Sequence, residues 1–174
     1  MLIRRLVPSD AAAYQSLRLA ALRESPTAFS SSDEEECDTP LSTIEAHMAP
    51  GSGRNRFGAF DGATLVAVVG VGRHGALKAR HKAFIAGMYV APAWRGKGVG
   101  RLLMERALAF ADALPNLHQV TLAVTADNAA AVALYASMGF AVYGREPDAL
   151  LVDGVLHDDL QMVRRVNDSR GQHV

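Results

Sequence analysis

Apolar positions along the chain change period from one stretch to the next, and polar breaks separate the stretches. Leu2–Val7 reads as a first strand. Ser9 or Asp10 caps a helix running to about Leu22, with Tyr14, Leu17 and Ala21 on one face. Residues 24–40 are polar and read as a loop region. Residues 41–49 can form a second short helix, and Gly51–Asn55 a loop. Arg56–Phe60 and Thr64–Val71 read as strands joined at Asp61-Gly62, a hairpin turn pair. Ala83–Val90 is apolar throughout and reads as a central strand, in which Gly87 predicts a bulge. Val99, Leu102, Leu103, Phe110 and Leu114 fall near helical spacing, and Pro115 and Asn116 end that run. Residues 120–128 read as a β-branched strand running into a turn. Asn128 then caps a helix with Ala131, Leu134, Tyr135 and Met138 on one face. Ala141–Glu146 and Leu156–Arg164 read as two last strands, with Asp153-Gly154 as a turn between them. The order is strand, two helices, three strands, helix, strand, helix, two strands, which predicts a mixed α/β sheet with helices on its faces.

Composition narrows the class. The chain has 174 residues, 49% of them hydrophobic, so residues 1–166 are expected to form a single domain with a real core. Residues 167–174, NDSRGQHV, read as a loose polar tail. Eighteen basic residues balance eighteen acidic ones, which argues against a nucleic-acid-binding or membrane-binding surface. One cysteine, Cys37, excludes an internal disulfide. It sits in Asp33-Glu34-Glu35-Glu36-Cys37-Asp38, where the negative neighbours disfavour a thiolate, so a covalent relay at Cys37 is set aside. Cys and His spacing defines no metal site. His47, His74 and His157 stand alone and are assigned no chemistry. With no signal-like start and no apolar run near about 20 residues, a cytoplasmic protein is expected.

The densest chemistry lies in Met88–Leu103, MYVAPAWRGKGVGRLL. Pro92 cannot donate to a strand ladder, so the strand should stop there. Gly96, Gly98 and Gly100 let backbone N–H groups converge. Arg95, Lys97 and Arg101 add positive charge beside a helix N-terminus whose dipole already favours anions. Neither the Walker spacing nor the dinucleotide spacing is present. The turn reads R-x-x-G-x-G, filled by Arg95, Gly98 and Gly100. Further on, Asn128–Phe140 reads N-x-x-A-x-x-L-Y-x-x-x-G-F.

These two strings, in this order and separated by a strand, resemble the signatures of the GNAT acetyltransferase superfamily. The likeness covers residues 84–146 in detail and the rest in general pattern. It implies a mixed, mostly antiparallel seven-stranded sheet with helices on both faces. It also implies a splayed central pair, at 83–90 and 118–125, that holds the pantetheine arm of acetyl-CoA. Acetyl-CoA is then the cosubstrate, and no metal is implied. The implied cofactor-binding residues are Met88, Tyr89 and Val90 on the strand, with backbone groups of Met88 and Val90 facing the pantetheine amides. Arg95, Gly96, Lys97, Gly98, Val99, Gly100 and Arg101 form the phosphate turn, and Asn128, Ala131 and Tyr135 complete the set. Tyr135 is the implied general acid toward the departing thiolate. Family members are often dimers, so a homodimer is possible.

The implied reaction carries acetyl from acetyl-CoA to a primary amine by direct attack. An amine of pKa about 10.4 is neutral only about once in 2,500 at pH 7, a penalty of roughly 4.6 kcal/mol. The family often places a glutamate on the central strand to take that proton, but AFIAGMYV holds no carboxylate. Glu34, Glu35 or Glu36 could reach in from the loop, although a solvated acidic loop is the preferred reading. His81, His118 or a water chain are other options. The basic stretch Arg73, His74, Lys78, Arg80, His81 and Lys82 reads as a solvated loop ahead of a clamp for the nucleotide 3′-phosphate. Asp158-Asp159 could face a cationic substrate, with surface charge preferred. The leading function is acetylation of a small amine or amino-acid-like metabolite. Its rivals are acetylation of a protein N-terminus or lysine, and a CoA-binding regulatory module without turnover.

Overall fold

Strand β1 (Leu2–Arg5) leads through a single 3-10 turn into helix α1 (Ala11–Glu24). Here the computed structural model describes residues 1–166; the tail read at 167–174 lies outside the described residues. Arg4 holds the turn with two bonds to Asp10 (2.7 and 2.8 Å), and Asp10 also accepts from the Val7 N–H. The region read as polar loop contains a short helix, α2 (Asp33–Glu36). Its cause is a reciprocal cap. Ser32 Oγ accepts from Glu35 N–H at 3.3 Å, and Glu35 accepts from Ser32 N–H at 2.8 Å. Helix α3 (Leu41–Met48) follows as expected.

Three antiparallel strands come next: β2 (Arg54–Asp61), β3 (Thr64–Arg73) and β4 (Lys82–Val90). Asp61 and Thr64 pair across the Gly62 turn. The bulge expected at Gly87 is present: the β3–β4 register shifts between Val68 and Gly70, and Gly87 has φ of 61°. Helix α4 (Val99–Asp112), strand β5 (Gln119–Thr125), helix α5 (Ala129–Ser137) and the hairpin β6 (Ala141–Val152)–β7 (Val155–Arg165) complete the fold. That hairpin is longer than the sequence reading, and its register shifts between Glu146 and Leu150.

The sheet runs β1-β2-β3-β4-β5-β7-β6. All neighbours are antiparallel except β4 and β5, which pair in parallel only over Lys82–Phe84 and Gln119–Thr121. Beyond that point the two strands separate, and a wedge opens toward their C-terminal ends. Side chains of α4 and α5 pack on one face with Phe57, Val69, Ile85 and Val120. Side chains of α1 and α3 pack on the other with Phe60, Leu65, Val68 and Tyr89. The buried stripe of α4 is Val99, Leu103, Met104, Ala107, Leu108 and Ala111. Leu102, placed on that stripe from its spacing, is 48% exposed; the small residues Ala107 and Ala111 set the stripe one position round. Leu103 and Met104 each contribute about 1.5–3 kcal/mol by burial, which fixes the helix against the sheet. Among the described residues no helix is long and apolar enough to cross a membrane.

Candidate active site

Two cavities lie on opposite faces of the sheet and meet at the wedge. The first, of about 680 Å³, lies on the α4–α5 side. The second, of about 770 Å³, lies under α1. Ala28, Ile85–Gly87 and Ala123–Thr125 line both.

The first cavity is built around the N-terminus of α4. Gly98 takes the left-handed conformation (φ 78°) at the cap, a backbone state that a side chain would resist. The first bond within the helix runs from Leu102 N–H to the Gly98 carbonyl at 3.1 Å. The N–H groups of Val99, Gly100 and Arg101 therefore have no helical acceptor and face the helix end, where an anion is favoured. Gly100 is there for closeness: a Cβ would lie 3.2 Å from Met88 and 3.5 Å from Val90.

Of the residues expected around the cofactor, Met88, Tyr89, Val90, Arg95, Gly96, Gly98, Val99, Gly100, Arg101, Asn128, Ala131 and Tyr135 line this cavity. Lys97 does not; its ammonium sits 5.1 Å over the Trp94 ring. Arg95 lines the cavity but is already engaged. It donates to both oxygens of Glu24 (3.1 and 2.6 Å) and to the Val90 carbonyl (2.9 Å). Arg95 thus braces the turn, and the Val90 carbonyl expected to face pantetheine already has a donor. The Glu24 carboxyl, held by Arg95 first and also by Ser25 and Tyr89, falls to about 2. Arg101 reaches Ser137 at 2.7 Å and ties α4 to α5.

Asn128 caps α5 as expected, accepting from Ala131 N–H at 3.2 Å. That cap sets the helix so that Tyr135 turns inward. Tyr135 is 7% exposed and packs edge-on to Phe140. Its hydroxyl has no hydrogen-bond partner among the described residues, and burial pushes its pKa up to about 12.

The second cavity has the opposite character. Arg18, Arg54, Arg56 and Arg73 line it, with Asp159 as the one carboxylate in its wall. The surface placement preferred for Asp159 is therefore corrected: Thr125 and Asp159 are register partners across β5 and β7, and this carries Asp159 to the wedge. Asp158, one residue earlier, points elsewhere and bonds Arg145 and Asp148 N–H. Burial, with help from Glu146, raises the Asp159 pKa. The expected bases fare differently. Glu36 is held by Arg18 at 2.9 and 2.7 Å, which keeps its carboxyl below the usual range. Glu34 and Glu35 are exposed and do not line the cavity. His81 and His118 pack nearly perpendicular, edge to face (centroids 5.9 Å apart), flanking the closed end of the wedge.

Sequence reasoning missed Ser25, Ala28 and Trp94 around the first cavity and Arg18 and Arg56 around the second. Pro26 and the Ser32–Glu35 capping spacing were local signals that residues 24–40 are ordered. No local signal marks Arg18 or Arg56, because a helix and a distant strand come together only in the fold; Asp159 was named with Asp158, but only sheet register tells which of the two turns to the wedge.

Residues 19–140 match the acetyltransferase (GNAT) family, and the chain belongs to that family. Residues align with a spermidine N(1)-acetyltransferase of Vibrio cholerae at 36% identity over 73 residues, 42% of each chain. The matched segment thus spans less than half of that curated relative. An acetyltransferase of the GNAT family from Streptococcus pneumoniae superposes with a TM-score of 0.83 at 24% identity, covering 94% of this chain and 98% of that one. The Salmonella typhimurium protein yncA, solved with its cofactor acetyl-CoA, superposes with a TM-score of 0.83 at 23% identity, covering 99% and 98%.

Proposed function

We propose that this chain is an N-acetyltransferase that carries the acetyl group of acetyl-CoA to the primary amine of a small molecule by direct attack. The observation that carries the reading is the meeting of two cavities at the wedge. One has a phosphate-suited helix end and an unpartnered tyrosine hydroxyl; the other is about 770 Å³ and charged, a volume suited to a metabolite. The acetyl-CoA bound by the Salmonella neighbour and the amine named for the Vibrio relative support it.

Acetyl-CoA lies on the α4 side with its phosphates at Val99–Arg101 and its thioester at the wedge. The amine enters from the α1 side and attacks in its neutral form; its nitrogen bonds the carbonyl carbon, the proton that nitrogen sheds passes to solvent, and the departing sulfur takes up one proton to leave as the free CoA thiol. As the C–S bond breaks, charge develops on sulfur, and the Tyr135 hydroxyl donates to it. A tyrosine near 12 facing a thiol near 8.5 makes full proton transfer uphill by roughly 5 kcal/mol. Tyr135 therefore acts chiefly as a fixed hydrogen-bond donor, which is where a buried donor has most effect. The raised pKa keeps it protonated throughout the working range.

The test is release of free CoA thiol from acetyl-CoA with a panel of amines, amino acids, polyamines, aminoglycosides and short peptides. Turnover with one class, abolished in Tyr135→Phe, supports the reading. Acetyl-CoA binding with no turnover on any acceptor would favour a CoA-binding module instead.

A further inference from the structure

We propose that the second cavity takes a bipolar acceptor: a primary ammonium held at Asp159 and a separate anionic group, such as a carboxylate or phosphonate, held at Arg56. This rests on the acetyltransferase reading and names its substrate class.

Two polar atoms in the wall of this cavity are buried without a partner: Asp159 Oδ1 and Arg56 Nη1. A buried polar atom without a partner is costly, so each is a place where a ligand group of complementary charge gains a hydrogen bond. The other basic groups of the wall are already engaged. Arg18 is paired with Glu36. Arg54 meets the His47 ring at 3.2 Å. Arg73 donates to the carbonyls of Arg80 and Pro115. Arg56 has the Tyr14 ring against its guanidinium, at 4.8 Å, which orients it and leaves Nη1 unpaired.

Asp159 has a matching shortage. Thr125 lies beside it, but its hydroxyl donates to the Thr27 carbonyl, leaving Oδ1 without that proton. Glu146 stands opposite it on β6 and adds a second carboxylate. A cation here relieves both. Thr125, the register partner of Asp159, lines both cavities, so a nitrogen held at Asp159 is beside the wedge where the thioester arrives.

Register also sets the distance between the two ends. Arg56 pairs with Gly70 and Gly70 with Ala86 on one side of the wedge; Thr125 pairs with Asp159 on the other. Arg56 and Asp159 are four strand positions apart, roughly 19 Å between Cα atoms or more at the usual strand spacing. Side-chain reach shortens that span without closing it. The ammonium and the anion should therefore be separated by several bonds. A polyamine fits less well, because its second cation would face Arg56, whose Nη1 is unpaired.

The test compares kcat/KM for 4-aminobutyrate and 6-aminohexanoate with butylamine, hexylamine and spermidine, in wild type, Arg56→Met, Arg56→Lys and Asp159→Asn. The expected result is a preference of at least tenfold for the amino acid over the alkylamine of equal length. Arg56→Met should cost the amino acids at least tenfold more in kcat/KM than the alkylamines and so abolish that preference, Arg56→Lys should keep it, and Asp159→Asn should raise KM for every amine. Preference for an alkylamine or spermidine in wild type, or an equal loss on both in Arg56→Met, overturns the bipolar site while acetyl transfer stands. Failure to turn over any amine counts against the acetyltransferase reading. In that event, calorimetric binding of 6-aminohexanoate to the CoA-loaded wild type but not to Arg56→Met upholds the subsite, and no binding removes it.

Discussion

Tyr135 carries the sharpest single-residue expectation. Its ring is fixed by Phe140 and its hydroxyl is unpartnered, so Tyr135→Phe removes one donor and little packing. We expect kcat to fall about 100-fold or more, with acetyl-CoA affinity changed less than about threefold. Steady-state rates and calorimetry check both numbers; a near-normal kcat would remove the donor role. Legibility at this scale was uneven. Asn128, Gly98 and Tyr135 sit in short strings whose local chemistry fixes their position. Arg95 carries the same type of charge, but Glu24 lies 71 residues away in sequence, and nothing near Arg95 announces that its charge is taken.

At the scale of elements, the end of α1 is tied across the wedge. Glu24 bonds Arg95 and Tyr89 on the β4 side. Thr27 accepts from Thr125 on the β5 side. Glu24→Gln should loosen the Arg95 brace and weaken acetyl-CoA binding roughly two- to fivefold, the scale of an exposed ion pair, with kcat little changed. Calorimetry decides it: tighter binding would mean that Glu24 had been holding Arg95 away from the phosphates. The strands and α4, α5 were readable from apolar period and turn pairs. The 24–40 region was not, because its order comes from caps and distant ion pairs instead of an apolar stripe.

For the whole molecule, the open β4–β5 wedge followed from the family resemblance, whereas the charged second cavity did not. Arg18, Arg56 and Asp159 come from three distant parts of the chain, and only the completed sheet with α1 packed on it puts them on one wall. The ion pairs also predict the response to acid. Asp10 and Glu36 lie below the usual carboxylate range because of Arg4 and Arg18, and Glu24 falls from 4.5 to about 2. Groups with lowered pKa stabilise above their unfolded value and lose that contribution as pH falls through the folded one. Asp159, raised by burial, works in the opposite sense. Melting temperature should hold from pH 7 to about 4.5 and then drop toward pH 2, and Glu24→Gln should flatten part of that drop. Thermal melts followed by circular dichroism at stepped pH measure it; an unchanged melting temperature down to pH 3 would contradict it.

Ala28 belongs to the wall of both cavities, and the chain just before it, at Glu24 and Thr27, is tied to both strands of the wedge. A shared wall makes the two ligands thermodynamically dependent. If filling one cavity seats residues 24–28, the other ligand meets a wall already in place and binds more tightly, and the effect must be equal in both directions. Titrating acceptor into free and CoA-loaded protein, and CoA into free and acceptor-loaded protein, should give one common factor. Such a factor favours assembly of the ternary complex over either binary one, so the thioester spends little time bound without an amine to receive its acetyl group.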